Sequence, residues 1–300
     1  MNLKEINIPD RYNYIAAFLT LECNHHCSYC INSFSGLKPS SKRIISSKDW
    51  VTILNRLKSR SDLPVTLQGG EPGLHQGFID IINGIKEDTS IDILTNLNFD
   101  IDKFIKKVSP SRIRRDSPYP SIRASYHPEC EDLPCFMSKV YRLHRAGFSI
   151  GVYMINYPWI EKNTVEIKKR CERLGILFKT KEFLGKYQDK VYGTYFLPEA
   201  LDGRAKKRCF CRTSELLIGP GGDIFRCHHD LYKDFLPVGN LIDPGFEIKD
   251  VFRECNEFGD CNPCDVKLKT NRFQVFGHSS VEIRLSDNPL ELVSQKEALP

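Results

Sequence analysis

The sequence predicts an α/β protein in which six strand–helix units form a partial (β/α)6 barrel, followed by a small C-terminal hairpin domain. Two observations predict this class. Short apolar runs alternate with amphipathic helical patterns over residues 13–185, and this alternation stops before residue 209. Repeated strand–helix units give a parallel sheet with right-handed crossovers. With 41% apolar residues among 300, the chain can bury one barrel core and a small appendage.

The six predicted strands are short apolar runs bounded by polar or turn residues: Tyr14–Leu19, Val65–Gln68, Ile91–Thr95, Ile122–Ser125, Ser149–Ile155 and Leu177–Phe183. The helices between them show apolar residues at helical spacing. Ser47 is the predicted cap of a helix that buries Trp50, Ile53, Leu54 and Leu57. Phe78, Ile81, Ile82 and Ile85 line the next helix, and Gly147 and Gly175 are predicted to end two later ones.

Three cysteines follow the first strand at C-x3-C-x2-C spacing: Cys23, Cys27 and Cys30. Three thiolates on one short loop suit an iron–sulfur cluster, because zinc sites and fully ligated clusters take four protein ligands and no fourth cysteine lies nearby. One iron would therefore keep an open coordination position. Zinc, with His25 or His26 as the fourth ligand, is the alternative.

Polar motifs also follow the next strands. Gly69-Gly70-Glu71-Pro72 comes after the second strand, Thr95 and Asn96 end the third, and Ser125 ends the fourth. The active sites of α/β barrels collect at the carboxyl ends of the strands. We therefore expect these residues on one rim with the cysteine loop, and Arg112–Arg115, which precede the fourth strand, on the opposite face.

The cysteine loop, with Tyr29 before its third cysteine, and the following GGEP motif resemble those of the radical S-adenosylmethionine (SAM) enzymes. The resemblance covers roughly residues 12–185 and implies the partial barrel. It also implies a [4Fe–4S] cluster on Cys23, Cys27 and Cys30, whose open iron chelates SAM. Reductive cleavage of SAM would give a 5′-deoxyadenosyl radical that abstracts a hydrogen atom from the substrate.

The same resemblance implies a set of SAM contacts: Tyr29, Gly69, Gly70, Glu71, Thr95, Asn96 and Ser125. In this set Glu71 would meet the SAM amino group and Ser125 the ribose. A strand-end polar group satisfied within the protein is the alternative for Thr95, Asn96 and Ser125.

Several residues past the fourth strand are candidates for contact with the substrate. Cys130 is the catalytic candidate, because a thiol on this rim can return a hydrogen atom to a substrate radical, as resembling epimerases do. His127 and Glu129 are candidates for substrate binding, and the sequence leaves the role of Cys135 open. A packed or surface residue is the alternative for each cysteine.

A second group of cysteines lies in the C-terminal third. Ser214–Ile218 and Asp223–Arg226 predict a hairpin, and Cys211 and Cys227 lie eight residues to either side of Gly219. A regular hairpin would place these two cysteines side by side. With Cys261-x2-Cys264, the pattern resembles the twitch domain, a shortened SPASM domain. It implies one auxiliary [4Fe–4S] cluster on Cys211, Cys227, Cys261 and Cys264. A zinc ribbon is the alternative, and the sequence leaves open whether Cys209 or Cys255 replaces one ligand.

The resemblance favours a dehydrogenase-like oxidoreductase that oxidises or epimerises a small polar, carbohydrate- or alcohol-like metabolite. The cysteine loop begins at residue 23, which is expected to leave no room for an N-terminal peptide-recognition domain. Peptide modification of the thioether, epimer or formylglycine type is the alternative, and a non-catalytic metal-binding scaffold is the third reading. The predicted segments are 1–12 (N-terminal extension), 13–185 (radical SAM barrel), 186–208 (linker), 209–268 (twitch domain) and 269–300 (C-terminal segment).

Composition bounds the partners. The net charge is only +5, and the basic runs lack the interleaved aromatic residues typical of nucleic-acid binding. No signal-peptide or membrane segment is evident, so the twelve cysteines are expected to serve as metal ligands or thiols in the cytoplasm. We expect a small-molecule or peptide substrate and an electron donor such as flavodoxin or ferredoxin. Nucleic acid and membrane partners are not expected.

Overall fold

The structure is a computed structural model that describes residues 4–33, 43–158, 161–235, 237–269 and 279–285. Within these ranges the strands are β1 (Ile6–Asn7), β2 (Tyr14–Thr20), β3 (Leu57–Lys58), β4 (Val65–Gly69), β5 (Ile91–Thr95), β6 (Ile122–Tyr126), β7 (Ile150–Asn156), β8 (Leu177–Glu182), β9 (Gly185–Tyr187), β10 (Lys190–Tyr192), β11 (Lys207–Thr213), β12 (Glu215–Ile218), β13 (Asp223–Phe225), β14 (Gly239–Asn240), β15 (Arg253–Phe258) and β16 (Val281–Leu285). The α-helices are α1 (Ser47–Leu54), α2 (Phe78–Gly84), α3 (Ile101–Lys107), α4 (Pro110–Ile113), α5 (Leu133–Arg145), α6 (Glu161–Arg173), α7 (His228–Lys233) and α8 (Pro263–Val266).

The largest sheet has the order β14-β13-β12-β2-β4-β5-β6-β7-β8. Strands β2 and β4 to β8 are the six predicted strands; they are parallel to their neighbours, and each end lies within one residue of the prediction. Helices follow five of them, as α/β topology requires. The observed architecture is a nine-stranded mixed sheet, so its curvature into a partial barrel stays a prediction.

From the sequence we expected the C-terminal hairpin to form a separate small domain, and the structure differs. Strand β12 instead pairs in parallel with β2, from Glu215 opposite Tyr14 to Ile218 opposite Ala17, and β13 and β14 extend this edge. Every residue of β12 is buried, which is typical of a strand covered on both faces. Three of the six cysteines of this region, Cys209, Cys211 and Cys255, lie on a different, three-stranded antiparallel sheet of order β15-β11-β16.

The helices bury the predicted apolar faces, with small differences at their ends. Ser46 rather than Ser47 caps α1, since its Oγ accepts a hydrogen bond from the Asp49 backbone N–H at 3.2 Å. Leu57 lies in strand β3, beyond the helix. Gly147 and Gly175 follow α5 and α6 with φ of 88° and 66°, the left-handed conformation that suits glycine at a helix end.

The basic segment before β6 lies at the amino ends of the strands, as predicted. Arg112 donates to the carbonyls of Ile85 and Thr89, which precede β5, and Arg114 donates to that of Gly147, which precedes β7. Among the described residues, no helix combines the length and the apolar character needed to cross a membrane.

Candidate functional site

The C-x3-C-x2-C loop leaves the carboxyl end of β2 and keeps its three cysteines half-buried and free of disulfides. The backbone N–H of His25 donates to Cys23 Sγ at 3.4 Å, and Asn96 Nδ2 lies 3.8 Å from the same sulfur. Burial raises the pKa of the Cys23 and Cys27 thiols, and the nearby charge of Cys30 adds to the effect in both. Free thiols held by N–H donors on one short loop are a donor set suited to an iron–sulfur cluster.

The two glycines of the GGEP motif let the end of β4 approach the start of the cysteine loop. Gly70 N–H donates to Thr20 O at 2.9 Å, and Glu71 N–H donates to Glu22 O at 2.8 Å. A Cβ atom would lie 2.0 Å from Thr20 O at Gly69 and 2.1 Å from Glu22 O at Gly70. The glycines are therefore required by contact between two backbones. Their contact with SAM stays a prediction.

The Glu71 carboxylate is 1% exposed and accepts hydrogen bonds from three donors of the chain. Oε1 accepts from Thr95 Oγ1 at 2.7 Å and from Gly73 N–H at 2.9 Å, and Oε2 accepts from Asn96 N–H at 2.6 Å. Burial raises the pKa of Glu71 to about 7 even though these hydrogen bonds act in the opposite direction. Glu71 thus ties the motif to the end of β5, where Thr95 and Asn96 lie. Its contact with the SAM amino group stays a prediction.

Tyr29 packs within an aromatic group beside the cysteine loop. Its ring centroid lies 4.3 Å from that of Tyr157 and 5.9 Å from that of His127. The Tyr29 hydroxyl also makes a 2.9 Å hydrogen bond with His127 Nδ1. Burial lowers the pKa of His127 to about 4, so this ring is neutral at physiological pH. The group forms one wall of the cluster loop, and the contact of Tyr29 with SAM stays a prediction.

Cys130 lies beside the cysteine loop, where its Sγ is 3.7 Å from Cys27 Sγ. The neighbouring Glu129 carboxylate accepts hydrogen bonds from the Ser28 backbone N–H at 2.9 Å and from its hydroxyl at 2.7 Å. Glu129 therefore holds the loop in place, while Cys135 is exposed in the first turn of α5. Whether Cys130 donates a hydrogen atom to substrate stays a prediction.

Ser125 is half-buried on β6, opposite Tyr153 of β7. Side chains of paired residues point to the same face of a sheet. Ser125 and the 6%-exposed Tyr153 therefore share one face near the carboxyl ends of the strands. The contact of Ser125 with SAM ribose is likewise untested.

A second group of thiols lies on the β15-β11-β16 sheet. The sulfurs of Cys209, Cys211 and Cys255 all lie within 4.8 Å of one another. Cys227 and Cys261 line the same small cleft as Cys211 and Cys255. Hydrogen bonds from Cys209 and Cys211 lower the pKa of the Cys255 thiol, which favours a thiolate at that position. These five thiols are mostly buried, and a set of four of them fits an iron–sulfur cluster or zinc. His229, Glu257 and Asp265 also line the cleft.

Cys211 and Cys227 do not face each other across the hairpin as the sequence predicted. The hairpin pairs Leu217 with Phe225, so it turns further along the chain than the symmetrical spacing of the two cysteines suggested. Cys211 lies on β11, opposite Arg253 of β15. The two cysteines still meet at one cleft, Cys211 from strand β11 and Cys227 from the amino end of α7.

Cys264 does not line this cleft, although the sequence predicted it as a ligand. The sequence left Cys209 and Cys255 as replacements, and the structure places both beside Cys211. Cys209 and Cys255 are directly paired in the β11–β15 ladder. The C-x-C spacing of Cys209 and Cys211 was a usable signal, because residues two apart on a strand share a face.

The cysteine loop also offers a second metal-binding combination. His25, Cys27 and His127 place a ligand atom each within 4.8 Å of one another. Of the two histidines left open as a zinc ligand, the structure thus brings His25 to the site.

The comparisons with known proteins identify this first site. A family model described as a 4Fe-4S single cluster domain matches residues 14–112, which contain the cysteine loop, the GGEP motif and the Thr95–Asn96 strand end. The chain is 30% identical over 92 residues to the 7-carboxy-7-deazaguanine synthase of Clostridium acetobutylicum and 31% identical over 86 residues to the GTP 3′,8-cyclase of Edwardsiella ictaluri. These matches support the resemblance to the radical SAM enzymes that the sequence predicts. Its cofactors are a [4Fe–4S] cluster and SAM.

The aligned regions are only part of each curated relative. They comprise 30% of this chain and 40% of the synthase, and 28% of this chain and 26% of the cyclase. The chain therefore spans less than half the length of either relative. The likeness concerns the radical SAM region, and the activities of these two proteins are not transferred to this one.

Two solved structures resemble a larger part of this chain. Streptococcus suis SuiB bound to its precursor peptide SuiA has a TM-score of 0.52 at 12% identity, and covers 79% of this chain and 64% of SuiB. Native anSMEcpe with bound AdoMet and Cp18Cys peptide also has a TM-score of 0.52, at 13% identity, and covers 80% of this chain and 78% of that one. At this level of identity the likeness shows the fold alone.

Proposed function

We propose that this radical SAM protein modifies a peptide substrate. The likeness to SuiB and anSMEcpe carries the proposal, because both structures hold a peptide and each covers about four-fifths of this chain. Residues 13–185 alone are too few to supply that coverage, so the likeness extends into the C-terminal part. This favours the peptide alternative over oxidation or epimerisation of a small metabolite, which the sequence favoured. A dehydrogenase-like reaction has no support beyond the original resemblance.

The chain's own residues would prepare the site in three ways. Cys23, Cys27 and Cys30 would hold the cluster, which together with SAM supplies the radical chemistry when bound. Glu71 fixes the end of β4 to the end of β5 and so shapes the SAM side of the site. The tightly packed ring of Tyr29 would exclude water from one side of the loop, which protects a reactive species from side reactions.

We also propose an auxiliary [4Fe–4S] cluster on the second thiol group, in a domain of the twitch type. Cys209, Cys211 and Cys255 would supply three ligands, and Cys227 or Cys261 the fourth. Zinc is the alternative for the same donors. A site with four thiolates has no open metal position, so this cluster would transfer electrons or stabilise the fold. The electron donor, flavodoxin or ferredoxin, remains part of the proposal, as do the segment boundaries.

The test is to supply peptides to the anaerobically reconstituted protein. Short peptides encoded beside this gene would be incubated with SAM and a low-potential reductant, and followed by mass spectrometry and by formation of 5′-deoxyadenosine. We expect a mass change or an inverted stereocentre in one peptide, formed together with 5′-deoxyadenosine. The variant with Cys23, Cys27 and Cys30 all changed to Ala is the control and should give neither.

The competing reaction is tested in the same assay with sugars and aminocyclitol alcohols in place of peptides. An alcohol that is converted to a carbonyl, with peptides left unchanged, would contradict the peptide proposal and restore the small-metabolite reading. Reaction in deuterated water separates peptide products further, because an epimer gains solvent deuterium at its reacting carbon only if the returned hydrogen comes from an exchangeable thiol.

A further inference from the structure

Lys181 lies on the same face of the central sheet as Ser125. Ser125 pairs with Tyr153, and Ile155, two residues further along β7, pairs with Lys181. Paired residues and residues two apart share a face, so all four side chains point to one side. The Lys181 ammonium lies 5.5 Å from the centre of the Tyr153 ring, which confirms this orientation. Lys181 is therefore near the carboxyl end of β8, on the side where SAM is expected.

The residues after Lys181 place this strand end close to the cluster loop. Phe183 is 6% exposed and packs in one cluster with Tyr29 and Tyr157, and the half-buried Cys27 lies against that cluster. Only one residue separates Phe183 from Lys181. The Lys181 ammonium is thus presented beside the wall that contains Tyr29.

Lys267 reaches the same region from the C-terminal part of the chain. It follows α8, whose capping residue Asn262 donates from Nδ2 to the Ile31 carbonyl at 3.1 Å, next to Cys30. Lys267 forms an isolated antiparallel β-bridge with Tyr195. The residue before Tyr195, Thr194, donates a hydrogen bond from Oγ1 to Oε1 of Glu182, the last residue of β8, at 2.8 Å. These contacts bring Lys267 against the end of β8, next to Lys181.

In the described part of the chain neither ammonium group forms a salt bridge or a side-chain hydrogen bond, although both side chains are half-buried. The charge of Lys267 and burial together lower the pKa of Lys181 to about 8, with burial the larger cause. Burial lowers the pKa of Lys267, but the nearby Cys264 thiol and the Glu215 and Glu182 carboxylates raise it overall. Neither carboxylate forms an ion pair with Lys267, since Glu182 accepts from Thr194 and Glu215 from Ser280.

Two neighbouring, partly enclosed ammonium groups repel each other, and neither has a salt-bridge partner, so an anion bound between them would be favourable. We propose that Lys181 and Lys267 bind a carboxylate of the substrate peptide, from an acidic side chain or from the peptide C-terminus. This rests on the proposed peptide substrate and adds a specificity determinant to it. The carboxylate would lie beside the cluster loop and position a neighbouring residue for hydrogen abstraction. Glutamine in place of an acidic side chain, or an amide in place of the free C-terminus, would remove the charge-assisted contacts of the respective carboxylate.

The experiment measures protection of lysines from acetylation in the full, cluster-loaded chain with SAM, under anaerobic conditions. The probes are Ac-Ala-Ala-Glu-Ala-Ala-NH2, the same peptide with Gln and a C-terminal amide, the Gln peptide with a free C-terminus, and inorganic phosphate, all at one concentration. Acetylation by sulfo-NHS acetate is then mapped by mass spectrometry. The exposed Lys48 and Lys103 serve as internal references.

We expect the peptide with Glu or the one with a free C-terminus to slow acetylation of Lys181 and Lys267 at least threefold, and the Gln amide to have no effect. Which of the two protects identifies the source of the carboxylate. Equal protection by phosphate would show a general anion site and overturn the peptide assignment. Absence of protection by every probe would overturn the site itself.

Variants provide a second measurement. Lys181→Gln and Lys267→Gln should each weaken binding of the protecting peptide by about tenfold, since one charge-assisted hydrogen bond is lost. Lys181→Arg keeps the positive charge and should therefore bind the peptide almost as tightly as the wild type. Lys103→Gln is the matched control and should not change peptide binding. Unchanged peptide binding in both Gln variants contradicts the inference even where a peptide is modified. Protection without any peptide modification would instead contradict the proposed function, so the two failures are distinguishable.

Discussion

The buried Glu71 carboxylate makes a defined prediction about pH. Burial raises its pKa from 4.5 to about 7, so in this interval the folded state binds a proton that the unfolded state has already released. Stability must therefore fall as pH rises from about 4.5 to about 7. The shift corresponds to about 3 kcal/mol of unfolding free energy, at about 1.4 kcal/mol per pKa unit. Glu71→Gln cannot ionise, so this part of the pH dependence should vanish.

The assay is urea unfolding of the anaerobic protein, followed by circular dichroism between pH 5 and pH 8, for the wild type and Glu71→Gln. Other titrating groups cancel in the difference between the two proteins. We expect the Gln variant to gain stability relative to wild type by about 2–3 kcal/mol over this range. Glu22→Gln, which changes an exposed carboxylate on the cysteine loop, should show no such trend. A difference that is constant with pH would refute the reasoning about Glu71 burial.

Three further predictions test individual residues. Gly70→Ala should destabilise the protein and weaken SAM binding in calorimetry, because the new Cβ would lie 2.1 Å from a backbone carbonyl oxygen; wild-type affinity would show that the loop adapts. Cys255→Ala should lower the iron content by about half, since a four-thiolate site would lose one ligand. Cys264→Ala should leave the iron content unchanged. Iron loss in Cys264→Ala but not in Cys255→Ala would instead support the ligand set predicted from the sequence. Cys130→Ser should retain the loop iron and form 5′-deoxyadenosine, and loss of that iron would instead make Cys130 a cluster ligand.

The strands and the first site could be predicted because their signals are local. Each parallel strand is a short apolar run, and each polar motif directly follows one strand, so topology alone brings Cys23, Gly70, Thr95 and Ser125 to one rim. The six strands accordingly agree with the prediction to within a residue. The chemistry of the cysteine loop followed from spacing and resemblance.

The rest depended on pairings between distant segments, which leave little trace in one sequence. The sequence of Glu215–Ile218 carries no signal that this strand pairs with β2, some 200 residues earlier, rather than forming an independent hairpin. That pairing shifts the hairpin, and the thiols that meet Cys211 come from β11 and β15 instead. The burial of the Glu71 side chain could not be predicted from the sequence either. The GGEP motif predicts a contact between Glu71 and a ligand, whereas in the structure its carboxylate accepts hydrogen bonds from Thr95 and Asn96 of the same chain.

The most direct test of the account is SAM cleavage by the reduced, anaerobically reconstituted protein. Wild type should hold roughly eight irons for two [4Fe–4S] clusters and should form 5′-deoxyadenosine from SAM. With Cys23, Cys27 and Cys30 all changed to Ala, the protein should keep about half of the iron and form no 5′-deoxyadenosine. SAM cleavage at the wild-type rate in this variant, or stoichiometric zinc with no SAM cleavage in the wild type, would contradict the assignment of the cysteine loop.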